Sequence, residues 1–180
     1  MAPVNRTPVR PTTTPVTSGP TKPRTPDEVR AQIAQWAIKQ ANDPNIGYSQ
    51  TAGRFGDRTD SNGHRYFDCS GLVVEGLQSR GKIRHGSDYV ADQLFKVVFP
   101  TKRISVDAAR ATRGALIGYQ DSTGKVIHIE ASRGDGTVIG AIGGGAKTLT
   151  LGDAVASNAF VKIRPIGYRG QPTIACDPWA

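Results

Sequence analysis

Cysteine is nearly missing from this chain: there are two in 180 residues, Cys69 and Cys176. Two thiols make at most one bridge, so no disulfide framework holds the fold, and no four-ligand zinc pattern can be written. That usage suits a reducing compartment or a protein whose one important thiol stays free. Aromatic residues are sparse at 7%, too few for a base-stacking platform, and no nucleic-acid motif accompanies the basic charge. No apolar run approaches the ~18 residues of a membrane-spanning helix. The N-terminus also lacks the apolar core of a signal peptide, so a target outside the cell is expected to be reached by another route.

Acidic residues are absent from the first 25 positions, which carry six of the 12 prolines, seven threonines and four cations (Arg6, Arg10, Lys22, Arg24). Such a segment has too little apolar surface to offset its ordering entropy, and it reads as a disordered Pro/Thr linker. It also holds half of the formal net charge of +8, leaving the remainder only mildly basic. Attraction to a polyanion such as an acid-bearing cell wall fits that charge, as does plain solubility. The expected organisation is a linker over 1–25, a domain over 26–168 and a C-terminal tail over 169–180 that includes Cys176.

Thr25-Pro26-Asp27-Glu28 is a helix start with the elements of a capping box. Val29, Ile33, Trp36, Ala37 and Gln40 follow at helical spacing, and Asn42-Asp43-Pro44 is the expected stop. The glycine-rich polar stretch from Ile46 to Gly63 reads as a surface loop walling a site. A helix begins at Cys69 and stops near Gly81; another is expected from Ser87 to about Val97. After Pro100 the pattern becomes strands: 115–119, 125–131, 137–141, a short one at 147–151, and 160–165, separated by turn residues. Helices first and hairpins afterwards predict an α+β fold, an antiparallel sheet with helices packed on one side.

Cys69 is the residue with chemistry to offer. It opens an apolar helix within Tyr66-Phe67-Asp68-Cys69-Ser70-Gly71-Leu72-Val73-Val74. The free N–H groups and dipole of a helix start favour a thiolate there. A nearby imidazole completes a pair able to attack an acyl carbon, and amides near Ser70 could hold the resulting oxyanion. His128 sits on a predicted central strand, where alternation places Val126, His128 and Glu130 on one face. The plain alternatives are a small buried cysteine and a satisfied strand histidine. His64 and His85 fall in polar loops with no ligand spacing between them. Gly143-Gly144-Gly145 has no lysine-serine partner and follows a strand without opening a clear helix, so it reads as a loop and not a phosphate cradle.

The block Asp68-Cys69-Ser70-Gly71-Leu72-Val73, followed by Arg113-Gly114-Ala115-Leu116-Ile117 and His128-Ile129-Glu130-Ala131, closely resembles the NlpC family of papain-like cysteine peptidases that cut peptidoglycan stem peptides. The resemblance covers roughly residues 26–168, and the style of 104–141 is similar to phage lysins and tail-associated wall hydrolases. It implies a papain-like NlpC fold with the nucleophile at a helix N-terminus, Cys69 as nucleophile and His128 as base and later acid. It also implies substrate contacts from Tyr48, Asp68 and Ser70, and no metal or cofactor. Asp68 alone reads equally well as a helix cap. The implied partner is bacterial peptidoglycan, with further lysin or virion domains joined through the linker, and the implied place of action is the cell wall. The stretch Gly47-Tyr48-Ser49-Gln50, Arg54 and Asp68-Cys69-Ser70 is also similar to phage N-acetylmuramoyl-L-alanine amidases, and a non-catalytic wall-binding module of a virion is a third reading. Family members usually carry a polar third residue that orients the histidine. Here that position falls near Gly140, which has no side chain, leaving Glu130 or no orienter at all.

Overall fold

The computed structural model describes residues 25–41, 43–50, 53–59 and 63–180. The Pro/Thr-rich segment 1–24 and the expected helix stop at Asn42 lie outside the described residues. Helix α1 spans Pro26–Ala41. Its start is the anticipated capping box: Thr25 donates through its backbone N–H to Glu28 Oε2 at 2.7 Å, and the Glu28 N–H returns to Thr25 Oγ1 at 3.3 Å. Ala37 and Gln40 lie on its buried side.

Three short strands follow where a loop was expected: β1 (Ile46–Tyr48), β2 (Phe55–Thr59) and β3 (Arg65–Phe67). They escape the alternation test because β1 is buried at every position, and a strand covered on both faces shows no period of two. β1 pairs with β3 in parallel and β2 with β3 antiparallel. The parallel pairing of β1 with β3 makes a mixed sheet of what was expected to be an antiparallel one.

Helix α2 spans Cys69–Gln78. The next helical turn, α3, is Ala91–Gln93 and runs on as a wide π-helical turn, Leu94–Val98. Ser87 does not cap it: the Ser87 carbonyl accepts from Gln78 Nε2 at 2.6 Å, and the helix opens instead at Val90, whose N–H donates to Gln93 Oε1 at 3.0 Å. Then come β4 (Arg103–Ile104), α4 (Val106–Ala111), β5 (Leu116–Gln120), β6 (Val126–Ser132) and β7 (Thr137–Ile142). The strand expected over 147–151 is absent. Thr150 and Asp153 bond each other's backbone and side chain as a helix cap, so the segment turns into α5 (Leu151–Ala156). Strand β8 is Phe160–Pro165, as anticipated.

Residues 169–180 are more than a tail. Thr173–Cys176 form β9, paired antiparallel with β5 on one side and β4 on the other, and Cys176 is wholly buried. Among the described residues the strands lie in the order β2-β3-β1-β8-β7-β6-β5-β9-β4. Successive residues of β5 and β6 face different cores. Leu116 and Ile129 join Val73, Val74, Leu77 and Phe95 from the helices, whereas Ile117 and Tyr119 meet Ala109 of α4 and Ala175 of β9. α4 therefore covers the face that α2 and α3 leave open.

The candidate active site

Asp68 sets the start of α2. Its Oδ1 accepts from the Gly71 N–H at 2.5 Å and from Ser70 Oγ at 3.0 Å. Arg54 binds the same corner: Nε lies 2.9 Å from Asp68 Oδ2, Nη2 donates to Ser70 Oγ at 2.7 Å, and Nη1 donates to Asp88 Oδ1 at 2.6 Å. The Arg54 backbone presses so closely on the first helical turn that a Cβ on Gly71 would sit 1.6 Å from the Arg54 carbonyl oxygen. Gly71 is thus required by close approach of another backbone. These contacts make Asp68 and Ser70 parts of a clamp that fixes where Cys69 begins its helix.

His128 is placed by a bulge. Tyr119 of β5 pairs with His128, but Gln120 pairs with Val126, so Ile127 is the extra residue and is 43% exposed. The bulge resets the alternation. Val126 joins Ile129 in the core beneath α2, instead of sharing a face with His128 and Glu130 as a regular strand would have it. His128 keeps Glu130 beside it, with Nε2 3.4 Å from Glu130 Oε1, and its ring lies 5.7 Å from the Tyr119 ring.

The structure brings Cys69 and His128 together. The thiol is close enough to the imidazole to act on its proton affinity. Burial alone would depress the ring's proton affinity, but its contacts with Cys69 and Glu130 outweigh burial and push the His128 pKa from 6.5 up to about 9. Tyr48 stands on the same site. Burial and the neighbouring Cys69 push its phenol up to about 12, while Gln50 Nε2 donates to its oxygen at 2.9 Å. Cys69 is 8% and His128 6% exposed, so both reactive side chains are nearly buried.

Several site residues were not foreseen. Tyr168 donates to Glu130 Oε1 at 3.4 Å, Tyr119 stands beside the same carboxylate, and Arg169 lies with its guanidinium 5.8 Å from the centre of the Tyr119 ring. All three arrive from strands or turns distant in sequence, and no local pattern marks them. His85 is exposed after α2, and His64 is half-buried just before β3. Among the described residues, no three His, Cys, Asp or Glu side chains gather as a metal site needs. None of the helices in those residues is long and apolar enough to cross a membrane.

No protein-family model matches the sequence, and no curated protein does. Solved structures do. RipD from Mycobacterium tuberculosis, described as a non-catalytic NlpC/p60 domain protein adapted to peptidoglycan binding, is 18% identical over 83% of this chain and 96% of its own, with a TM-score of 0.55. The peptidoglycan hydrolase RipB from the same organism is 19% identical over 86% of this chain and 68% of its own, with a TM-score of 0.51. The P60 domain of an antigen from M. avium subspecies paratuberculosis is 21% identical over 84% of this chain and 98% of its own, with a TM-score of 0.50. At such identities the likeness speaks for the architecture: the chain has the α+β, papain-like NlpC/p60 fold.

Proposed function

We propose that this protein is a cysteine peptidase that cuts an amide bond in the stem peptides of bacterial peptidoglycan. The observation that carries the reading is Cys69 as first residue of α2 with the His128 imidazole beside it. The fold, shared with a structure described as a peptidoglycan hydrolase, supports the substrate class.

In the proposed reaction His128 already holds the proton that Cys69 gives up, and the sulfur attacks the amide carbonyl carbon. The Gly71 N–H is committed to the Asp68 side chain and the Leu72 N–H to the Asp68 carbonyl. The amides of Cys69 and Ser70, earlier in the helix, are therefore assigned to the oxyanion. The C–N bond breaks as the imidazolium protonates the leaving amine. Water, deprotonated by His128, then attacks the thioester and releases the new carboxylate with the thiol restored. Tyr48, beside Cys69, is assigned to the wall of the substrate groove. The setting inferred from the style of residues 104–141 is a phage lysin or a virion-associated wall hydrolase.

A wall-binding module without activity is the competing reading, favoured by the likeness to RipD and by the near-burial of both reactive side chains. Mass spectrometry of purified peptidoglycan incubated with the protein separates them. New amine and carboxyl ends within stem peptides, missing with Cys69→Ala, are expected. Whole stem peptides freed from the sugar would make the enzyme an amidase. An unchanged wall that still retains the protein would overturn the enzymatic reading.

A further inference from the structure

His128 Nε2 is buried and, among the described residues, makes no hydrogen bond. What faces it is Glu130 Oε1, at 3.4 Å. Glu130 is itself wholly buried and comes from the same strand, two residues on. A carboxylate removed from water costs several kcal/mol unless charges or donors meet it. Here Tyr168, from the turn after β8, donates to Glu130 Oε1 at 3.4 Å, the Tyr119 phenol of β5 lies near enough to feel the carboxylate, and Oε2 has no hydrogen-bond partner among the described residues.

The strand beside β6 explains how the carboxylate fits. Ala131 pairs with Ile139, which sets Gly140 across from Glu130. A Cβ built on Gly140 would stand 2.5 Å from Glu130 Cγ and 2.8 Å from Glu130 Oε1. Gly140 has no positive φ to account for it. The glycine leaves a gap in the face of β7, and the side chain of Glu130 fills that gap.

We propose that Glu130 is the positioning residue of His128, holding the ring through Nε2 from the base's own strand, and that Gly140 is a glycine because the carboxylate occupies its side-chain space. The arrangement leaves Nδ1 of the ring for Cys69. Imidazole, carboxylate and the two phenols thus form one buried unit, and the site has an orienter although position 140 carries no side chain. The inference rests on the reading of Cys69 and His128 as the reactive pair. It gives Glu130 no contact with substrate.

The test is an NMR titration of the full chain with labelled histidine, comparing wild type, Glu130→Gln and Gly140→Ala. The groups facing His128 or its carboxylate are Cys69, Glu130, Tyr119, Tyr168 and, over Tyr119, Arg169. Glu130→Gln keeps the volume and removes the charge. Gly140→Ala keeps the charge and pushes it aside. Both are expected to weaken proton binding at His128 about tenfold or more, one pKa unit downward. Thermal melting identifies any variant that has lost its fold. A folded variant of either kind in which His128 titrates as in wild type overturns the proposal. The measurement needs no substrate, so its outcome is separate from the wall digest. A shifted titration with an undigested wall would leave the positioning role standing and remove the peptidase.

Discussion

Cys69 and Cys176 are both free, both buried and both part of one apolar cluster with Phe95, Val126 and Ile129. Their surroundings differ in what else is present. Cys176 sits mid-sheet on β9 between β5 and β4, and burial pushes its thiol up to about 12, with the Arg103 charge too weak to reverse it. Cys69 begins a helix, beside an imidazole that keeps its proton to about pH 9. Low exposure is therefore neutral evidence about a cysteine. The partner across the groove and the backbone amides beneath the sulfur separate a packing residue from a nucleophile.

Substitutions can break that comparison. Cys69→Ala is expected to lower peptidoglycan cleavage on the order of 10⁴-fold, since removing a nucleophile from a covalent mechanism leaves only binding and oxyanion contributions. Cys176→Ser is expected to leave cleavage within about threefold, a change too small to signal a lost transition-state contact. Equal losses in the two variants, read by release of soluble wall fragments, would erase the distinction. His128→Asn is expected to cost about 10³-fold with the fold intact, the usual scale for a lost general base. Arg54→Ala removes the clamp on Asp68 and Ser70 and is expected to cost about 2 kcal/mol in urea unfolding, with a drop in activity as the helix start loosens.

Acidity sharpens the comparison further. In the folded protein His128 holds its proton up to about pH 9, against 6.5 for an ordinary histidine. Above pH 6.5 the unfolded chain gives up this proton while the folded chain keeps it, so stability falls with rising pH. The contribution is complete below 6.5 and gone once pH has risen through about 9. Cys176, raised from 9.0 to about 12, acts in the next window up. Urea midpoints between pH 6 and 9 are expected to fall in wild type and to fall less in His128→Asn. The smallest expected effect is that of Cys176→Ser on stability, about 1–2 kcal/mol for a hydroxyl placed in an apolar site, again by urea unfolding.

The parts legible in the sequence are those with local causes. The capping box at Thr25, the Asp68 cap, the β5–β6 and β6–β7 turns and the β8 strand all follow from adjacent residues. What was not legible depends on distant partners. β1 hides its period because both faces are covered, β9 looks polar until Ile174, Ala175 and Cys176 meet β5, and Ile127 becomes a bulge only through its pairing. The same holds within the site. Cys69 and His128 could be named from their context, whereas the tie between Glu130 and Gly140 exists only across two strands. Asp68 and Ser70 carried a motif, and their contacts with Arg54 are visible only once the chain is folded.

The most direct test of Cys69 and His128 as one reactive unit is the rate at which Cys69 reacts with iodoacetamide at pH 6, followed by peptide mass spectrometry. The account predicts that wild type reacts at Cys69 at least about tenfold faster than the His128→Asn variant, because the imidazolium stabilises the attacking thiolate, while Cys176 stays unmodified in both. Equal rates at Cys69 with and without the imidazole would contradict it.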